Sequence, residues 1–466
     1  MRLDPAYQLR GWQGLPYALV NRFSGRASFV SQAFFHTLQL CNGQLTVDSP
    51  MFMGPRREHL RELDKAGFLS FSDEPSGIEP DQEYRYYDNH YIWQVHWSLT
   101  GRCNYRCRHC YMSAPHAVLP QPSTEECLRI ADQITGCGVP QVSLTGGEPL
   151  IRPDFLQIVD RILEGGSRVA FIMTNGSLVT SELLDELEAR GCRPMFNMSY
   201  DGTQGCHDWL RGVPGADDAV RRAFKLCHDR GFPTGAEFVL HKGNVHTLRE
   251  SVKLLGDLGV SSLKVSRLKC VGEGVGLREY APTLEEELEA CFDYLPQYVE
   301  DGMPVPYLTL SKAFKVRDGR FSVTFERYAE GKDCSRSPMC RSARMIMYLG
   351  PDGRILPCIT MSEADRVQER FPLVQEMTLA EALTDSSYRD FGRMNLGTYL
   401  ADNPECVSCE YRNRCAGGCR AKAVLADPGY SLTARDHEAC RFFLGGYYDR
   451  AKRLIAELQQ VVDRKS

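Results

Sequence analysis

Three cysteines lie within a segment of eight residues and could hold a metal cluster on one loop. They are Cys103, Cys107 and Cys110, in the segment 103–110 (CNYRCRHC). Three thiolates at this spacing can bind three corners of a four-iron cluster and leave the fourth iron without a protein ligand. An open iron can bind a small molecule and pass it an electron, by the same logic as an open catalytic zinc site. A zinc site is the alternative, but structural zinc takes four ligands and usually pairs two C-x2-C elements.

A second group of cysteines lies in the last third of the chain. The chain has 466 residues and 19 cysteines. The eight that lie in this second group are Cys334, Cys340, Cys358, Cys406, Cys409, Cys415, Cys419 and Cys440. Eight thiolates could complete two more four-iron clusters with every iron ligated. Two or more zinc sites would also fit, and the spacing alone leaves both readings open.

The composition narrows the class of protein. The net charge is −5, and 25% of the residues are charged, so neither nucleic acid nor an anionic membrane is an expected main partner. We see no signal peptide and no apolar run long enough to span a membrane. We therefore expect a cytoplasmic protein, and in a reducing compartment clustered cysteines indicate metal ligands rather than disulfides.

From residue 91 onward, strands and helices alternate along the chain. The predicted strands are 92–99, 141–145, 168–174, 195–199, 235–240 and 262–266, with helical patterns between them. Six strand–helix units in series predict an α/β fold with a parallel sheet curled into a partial (β/α)6, TIM-like barrel. Such barrels place their chemistry at the C-terminal ends of the strands, and the cysteine segment 103–110 directly follows the first strand.

Polar residues follow the next strands at the same edge. The candidates are Gly146, Gly147, Glu148, Asn175, Ser199, Asp201 and Arg211. Glycines allow a backbone to come close to a ligand, a carboxylate such as Glu148 can take an ammonium group, and a guanidinium group such as that of Arg211 suits a carboxylate. For Asp201, a role in a binding site and a role as a plain turn residue are both open.

These motifs resemble the radical S-adenosylmethionine (SAM) superfamily. The resemblance rests on the cysteine triplet with His109 before its last member, on Gly146-Gly147-Glu148, and on the later Asn175-Gly176 and Ser199–Gly212 segments. It implies that the open iron binds SAM, whose reductive cleavage gives a 5′-deoxyadenosyl radical. It also implies that His109, Gly146, Gly147 and Asn175 belong to the SAM site. Glu148 would bind the SAM amino group, Ser199 its ribose and Arg211 its carboxylate.

The C-terminal cysteines resemble the SPASM extension of that superfamily, which carries two auxiliary [4Fe–4S] clusters. The resemblance rests on the segments 353–358 (GRILPC), 406–411 (CVSCEY) and 415–419 (CAGGC). It implies that Cys334, Cys340, Cys358 and Cys419 bind the first auxiliary cluster. Cys406, Cys409, Cys415 and Cys440 would bind the second. The segment shows little apolar periodicity, so we expect its fold to depend on metal.

The N-terminal residues predict a small α+β unit that is similar to a winged helix. A hairpin is predicted over 17–31, followed by helices over 32–40 and 55–67 and a short strand. DNA binding is not favoured, because the second helix has no strong basic face. The unit instead resembles the PqqD-like domain with which maturases of ribosomally synthesised, post-translationally modified peptides (RiPPs) recognise a leader, bound as an added strand. An inert structural cap is the alternative.

Together these features predict a radical SAM/SPASM peptide maturase that installs a thioether or carbon–carbon crosslink in a precursor peptide. The predicted domains are a leader-recognition domain (1–75), a linker (76–90), the barrel (91–282), a bridging region (283–333), the SPASM domain (334–446) and a C-terminal helix (447–466). The expected cofactors are SAM and three [4Fe–4S] clusters, and the expected reductant is a flavodoxin or ferredoxin. An anaerobic sulfatase maturase and an iron–sulfur redox sensor with a DNA-binding winged helix are the alternatives.

Overall fold

The computed structural model describes residues 1–74, 76–311, 313–329 and 331–465. Pro75 and Ser466, the last residues of two predicted domains, lie outside the described residues. The strands form a two-stranded, a four-stranded and an eleven-stranded sheet. No described helix combines the length and the apolar character that a membrane span requires.

The N-terminal unit is built on the four-stranded sheet. Its elements are β1 (Arg2–Leu3), β2 (Tyr7–Gln13), β3 (Leu15–Asn21), β4 (Ala27–Phe29), α1 (Gln32–Leu40), α2 (Pro55–Lys65), β5 (Leu69–Ser70) and β6 (Arg85–His90). The sheet order is β4-β3-β2-β6, with β6 parallel to β2. The predicted hairpin is β3–β4. The sequence analysis missed β2, because the alternation of apolar and polar residues over 7–10 (YQLR) breaks at Gly11.

The barrel lies in the eleven-stranded sheet. Its elements are β7 (Gln94–Ser98), α3 (Thr124–Gly136), β8 (Gln141–Thr145), α4 (Phe155–Glu164), β9 (Arg168–Thr174), α5 (Ser181–Ala189), β10 (Met195–Ser199), α6 (Cys206–Arg211), α7 (Ala216–Asp229), β11 (Thr234–Leu240), α8 (Leu248–Asp257), β12 (Ser262–Arg267), α9 (Leu284–Glu300) and β13 (Tyr307–Leu310). Strands β7 to β13 are parallel in chain order. The predicted α/β fold with a partial (β/α)6 barrel is confirmed.

Local sequence explains the regularity of these units. Ser123 and Glu126 form a reciprocal capping box at the start of α3, as the sequence predicts. Along each strand one set of side chains, such as Val95 and Trp97 on β7, packs under the outer helices in a single core. The alternate set faces the barrel lumen, so the strand ends and the lumen are where polar side chains collect.

The remaining elements extend the same sheet and cover its ends. They are β14 (Phe314–Arg317), β15 (Arg320–Val323), β16 (Ile346–Leu349), β17 (Ile355–Leu356), α10 (Asp365–Gln368), α11 (Leu379–Thr384), α12 (Ser387–Arg393), α13 (Leu396–Asp402), α14 (Arg412–Cys415), α15 (Arg420–Ala426), α16 (His437–Leu444) and α17 (Tyr447–Lys465). Strand β16 pairs in parallel with β7. Despite its weak apolar periodicity, the region 334–446 contributes Ile355, Phe371 and Leu383 to the main core, and the dependence of its fold on metal stays a prediction.

The N-terminal unit packs on the barrel at the N-terminal ends of its strands. Trp12 is fully buried, donates its indole N–H to the carbonyl oxygen of Cys137 (3.0 Å) and stacks on Tyr87. The turn between β3 and β4 reaches the starts of β8 and β9, where Gln141 donates to the carbonyl oxygen of Ser24. The unit therefore lies at the end of the barrel opposite to the loop that carries Cys103.

Replacing Trp12 tests this anchor. We expect Trp12→Ala to lower the free energy of unfolding by about 3–5 kcal/mol, because it opens a cavity and removes a buried hydrogen bond. Chemical denaturation measures the change, and limited proteolysis near residues 70–80 reports undocking of the unit. Phe23→Ala is the matched control, since that ring is 75% exposed. Equal stability of the two variants would contradict the anchoring role.

Candidate functional site

The loop that carries the three cysteines, residues 99–110, follows β7 and has no regular secondary structure. Cys103, Cys107 and Cys110 are half-buried. Backbone N–H groups point at two of the sulfurs: Tyr105 N lies 3.4 Å from Cys103 Sγ, and Ala114 N lies 3.3 Å from Cys110 Sγ. Burial raises the pKa of Cys103 and of Cys110, and these donors oppose that shift by favouring the thiolate form that metal binding requires.

Three glycines from three different elements hold this loop in place. Gly147 follows β8, Gly212 follows α6 and Gly272 follows β12. A Cβ atom at each would lie far inside van der Waals distance of a carbonyl oxygen of the loop: Arg102 for Gly147, Arg106 for Gly212 and Cys110 for Gly272. The backbone geometry of the cysteine loop thus requires glycine at all three positions.

The glycine pair after β8 also makes backbone hydrogen bonds to the loop. Gly147 N donates to the carbonyl oxygen of Thr100 (2.8 Å), and Glu148 N donates to that of Arg102 (2.9 Å). The sequence indicated glycine here for close approach to a ligand. In the structure, the group that Gly146 and Gly147 approach is the backbone of the cysteine loop.

Glu148 has no exposed surface. Its carboxylate accepts hydrogen bonds from Thr174 Oγ1 (2.8 Å), Asn175 N (2.8 Å) and Leu150 N (3.1 Å). Burial raises the pKa of Glu148 to about 7, although these donors oppose the shift. The side chain joins the ends of β8 and β9. Its predicted contact with the SAM amino group stays a prediction.

The end of β9 contacts the cysteine loop through an amide network. Asn175 Nδ2 donates to Asn104 Oδ1 (2.8 Å) and lies 4.0 Å from Cys103 Sγ. Asn104 Nδ2 donates in turn to Ser177 Oγ (2.9 Å). Asn175 is therefore at the cysteine loop, where the sequence places it.

Asp201 and Arg211 form a buried ion pair beside the second cysteine. Arg211 Nη2 and Nε lie 2.6 and 2.7 Å from Asp201 Oδ2. Arg211 Nη1 lies 3.7 Å from Cys107 Sγ. Burial would raise the pKa of Asp201, but Arg211 and then His207 hold it well below its usual range. Asp201 is thus an ionised partner of Arg211 rather than a plain turn residue, and the contact of Arg211 with a SAM carboxylate stays a prediction.

Three buried histidine nitrogens near this ion pair have no partner among the described residues. They are His109 Nδ1, His207 Nε2 and His241 Nε2. Burial, and next the charge of Arg211, lower the pKa of His109 to about 3, so His109 is neutral. An unpartnered buried polar atom marks a position where a bound group or water is expected.

The barrel lumen holds charged residues that the sequence analysis missed. Ser199, Glu237 and Lys264 are neighbours in register on β10, β11 and β12. Lys264 Nζ lies 3.0 Å from Glu237 Oε1, and Asn197 Nδ2 lies 3.4 Å from the same oxygen. The side chains of Glu237 and Lys264 are 43% and 54% exposed, so the lumen is open around Ser199. The signal that could have found this pair is one charged residue between two apolar residues in the middle of each of two strands.

Six of the C-terminal cysteines fall into two groups. Burial, and next the thiols of Cys419 and Cys340, raise the pKa of Cys358 to about 12, which places these three together. In the same way, burial and then Cys440 raise the pKa of Cys415 to about 12. Burial raises the pKa of Cys406, and Cys440 adds to that shift, so Cys440 also lies near Cys406.

The surroundings of the C-terminal sulfurs differ. Tyr399 Oη lies 3.3 Å from Cys406 Sγ, and Arg435 Nη2 lies 3.6 Å from Cys440 Sγ. Cys334 is buried in an apolar cluster with Met339 and Leu396. Cys409 is half-buried. The assignment of Cys334 and Cys409 as cluster ligands stays a prediction.

The residues present fit an iron–sulfur cluster. Within the described ranges no three His, Cys, Asp or Glu side chains converge on a single ion. The ligands of a four-iron cluster bind different irons and stand apart at its corners, so convergence on one point is not required of them. The donor set is thiolate sulfur supported by backbone N–H groups, which suits iron–sulfur ligation.

Comparison with known proteins supports the same chemistry. Residues 97–255 match the family described as the Radical SAM superfamily. The chain is 26% identical over 348 residues to the AdoMet-dependent heme synthase of Methanosarcina barkeri. This alignment covers 72% of this chain and 93% of the relative. The chain is also 26% identical over 367 residues to the PqqA peptide cyclase of Gluconobacter oxydans, covering 78% and 93%.

A solved structure shares the fold. Streptococcus suis SuiB bound to precursor peptide SuiA aligns with a TM-score of 0.66 at 16% identity, covering 94% of this chain and 99% of SuiB. At this identity the likeness shows the fold alone. The likeness in fold extends beyond the barrel, because the structural alignment covers 94% of this chain, whereas the family match covers only residues 97–255.

A methyl group at Gly147 tests the support of the cysteine loop. We expect Gly147→Ala to displace the loop, because the added Cβ collides with the carbonyl oxygen of Arg102. After anaerobic reconstitution, iron bound per chain should fall by about four, the content of one cluster. Gly276→Ala is the control, since a Cβ there meets no atom within 4 Å. Unchanged iron in Gly147→Ala would show that this glycine does not support a cluster.

Proposed function

We propose that this radical SAM enzyme is a peptide maturase that crosslinks a ribosomally made precursor. The premise is that residues 97–255 form a radical SAM domain. The domain uses SAM and one [4Fe–4S] cluster. The observation that carries the proposal is a small N-terminal sheet with one open edge, joined to a barrel whose lumen holds the half-exposed charged side chains of Glu237 and Lys264. A relative that is named a PqqA peptide cyclase and a fold neighbour that was solved bound to a precursor peptide support it.

The proposal assigns the residues as follows. Cys103, Cys107 and Cys110 hold the SAM-binding cluster, with His109, Gly146, Gly147, Glu148, Asn175, Ser199, Asp201 and Arg211 around it. When bound, the cluster and SAM supply a 5′-deoxyadenosyl radical that abstracts a hydrogen atom. Arg211 stays charged through its pairing with Asp201 and keeps a positive charge beside Cys107. Gly147, Gly212 and Gly272 fix the loop, and the lumen residues Glu237 and Lys264 orient the peptide.

Two auxiliary clusters belong to the proposal. The grouping of Cys340, Cys358 and Cys419 and the grouping of Cys406, Cys415 and Cys440 support it. Cys334 would complete the first set and Cys409 the second. Their chemistry would be to accept the electron released as the crosslink closes, or to hold a substrate thiolate.

The test is an anaerobic assay with dithionite, SAM and a panel of ribosomally made precursor peptides, each with its leader. About twelve irons per chain are expected for three clusters, together with 5′-deoxyadenosine and a peptide that has lost two hydrogen atoms. A Cys103→Ala, Cys107→Ala, Cys110→Ala variant should give neither product. Iron coproporphyrin and a sulfatase-derived peptide are run as alternative substrates. Turnover of either, with the precursors untouched, would replace the peptide-crosslinking assignment.

The open edge of the N-terminal sheet is the proposed leader-binding edge. Strand β6 covers the side of β2, and α11 packs against β6. On the other side, Val30 and Asn21 make the hydrogen bonds that flank the β3–β4 pairing. By the alternation of an antiparallel ladder, Ala27 and Phe29 direct their N–H groups outward along the free edge of β4.

Proline at this edge tests leader docking. Phe29→Pro removes one outward N–H and should weaken leader binding about fivefold, the effect of one main-chain hydrogen bond of about 1 kcal/mol. Phe29→Ala is the matched control, because it removes the ring and keeps the N–H. Fluorescence anisotropy with a labelled leader measures both. Equal affinity of the two variants would argue against pairing on β4.

The lumen pair gives a second test. We expect Lys264→Met to raise the peptide KM about tenfold, which corresponds to about 1.4 kcal/mol, and to leave SAM cleavage without peptide unchanged. The reason is that Lys264 and Glu237 face the open lumen next to Ser199. Lys225→Met on α7 is the control, since Lys225 pairs with Asp229 on the outer surface. A loss of peptide-free cleavage would instead place Lys264 in the SAM site.

A further inference from the structure

A small pocket lies at the end of β7 opposite to the cysteine loop. It is formed where the connection from β6 to β7 meets α12 and the segment before β16. Among the residues that line it are His90, Tyr91, Ala343, Arg344, Tyr388 and Arg389. The space inside it is about 10 Å³, enough for one water-sized group, and it opens to solvent.

Arg344 and Arg389 line this pocket, and Arg393 follows the lining residue Gly392 and carries a third positive charge nearby. Arg389 is half-buried, and its Nε is a buried donor with no hydrogen-bond partner in the part of the chain that the structure describes. Burial, and next the charges of Arg393 and Arg344, lower the pKa of Arg389. Like charges are therefore close together, and a buried donor has no acceptor.

The neighbouring acids do not neutralise this cluster. Across residues 1–74, 76–311, 313–329 and 331–465, Arg344 and Arg389 take part in no ion pair, and Arg393 has one long contact, 3.8 Å to Asp390. His90 adds no charge. Its Nδ1 lies 3.2 Å from the carbonyl oxygen of Gln13, which can only accept, and burial followed by Arg389 lowers its pKa.

We propose that Arg344, Arg389 and Arg393 form a binding site for one oxyanion, a carboxylate or a phosphate. The planar guanidinium group matches both anions with paired N–H donors. A bound oxyanion would give Arg389 Nε its missing acceptor and would screen the repulsion among the three charges. The pocket has room for one oxygen atom of such an anion, and the rest of the anion would lie at its open mouth.

The anion would join three parts of the chain. The connection from β6 to β7 belongs to the N-terminal unit and the barrel, whereas Arg344 and α12 belong to the C-terminal region. A ligand that contacts all three stabilises their arrangement by mass action. The oxyanion has two possible sources, an acidic side chain of a bound peptide or a free anion such as inorganic phosphate. The site does not depend on the proposed peptide chemistry.

Thermal unfolding of the full chain tests the site without any turnover. In chloride buffer at fixed ionic strength, inorganic phosphate is titrated in one arm. The other arm uses the tripeptide acetyl-Gly-Glu-Gly-amide, with its Gln counterpart as the blank. We expect a saturable rise in Tm of about 2 °C or more. The rise should disappear in Arg389→Gln and persist in Arg320→Gln, which changes an exposed arginine on β15.

The change in Tm that Arg389→Gln causes without added anion distinguishes a binding site from a packing role for Arg389. Arg389→Gln should be at least as stable as the native chain in chloride, because it removes a charge from a repelling cluster. Arg344→Gln, at an exposed position, serves as the second variant and should also abolish the rise. A response to phosphate alone identifies a free anion as the ligand, and a response to the Glu peptide identifies a peptide carboxylate. An equal Tm rise in all variants, or none in the native chain, would overturn the proposal.

Discussion

The close passage of three backbone segments over one loop is the constraint on which the site depends. The carbonyl oxygens of Arg102, Arg106 and Cys110 each abut a glycine from a different part of the barrel. A loop without regular hydrogen bonding would otherwise be free to move. Here its path is fixed from three sides, so the spacing of the cysteines along the chain becomes a fixed spacing in space. The barrel strands matter for chemistry mainly because they bring these glycines to one edge.

The sequence predicts the chemistry at this edge of the barrel better than it predicts the contacts between the residues there. The cysteine spacing and the strand–helix alternation predict the radical SAM barrel, because ligand type and periodicity are local properties. Gly147 is recognised, but Gly272 is not, since its partner lies far away in the chain. The ion pair between Asp201 and Arg211 is missed although the two residues are only ten positions apart, because their pairing depends on how α6 packs after β10. The lumen pair between Glu237 and Lys264 is missed because it depends on the register of neighbouring strands, which no short motif encodes.

The C-terminal region shows a different limit of prediction. Its cysteines, glycines and arginines suggested a segment held mainly by metal. Yet its apolar residues, such as Ile355 and Phe371, join the core of the barrel instead of forming one of their own. Because β16 pairs with β7, this region completes the sheet on the side where the barrel begins. Apolar periodicity is weak when a segment packs in short pieces against an existing surface, so the core contribution was not visible in the sequence.

The two ends of the barrel carry different tasks in the proposed function. The N-terminal unit packs at the starts of β8 and β9, whereas the cysteine loop lies beyond the end of β7. Five residues of β8 separate the two levels by about 16 Å. A leader held on β4 and a reacting residue at the cysteine loop must therefore be joined by at least about five extended residues. Glu237 and Lys264 are half-exposed and lie in register with Ser199 on neighbouring strands, so the proposed peptide would meet all three side chains at one level of the barrel. In the proposed function the docking edge and the reacting residue are therefore apart, and a change in the core sequence would alter the contacts in the lumen and leave the contacts of the leader on β4 unchanged.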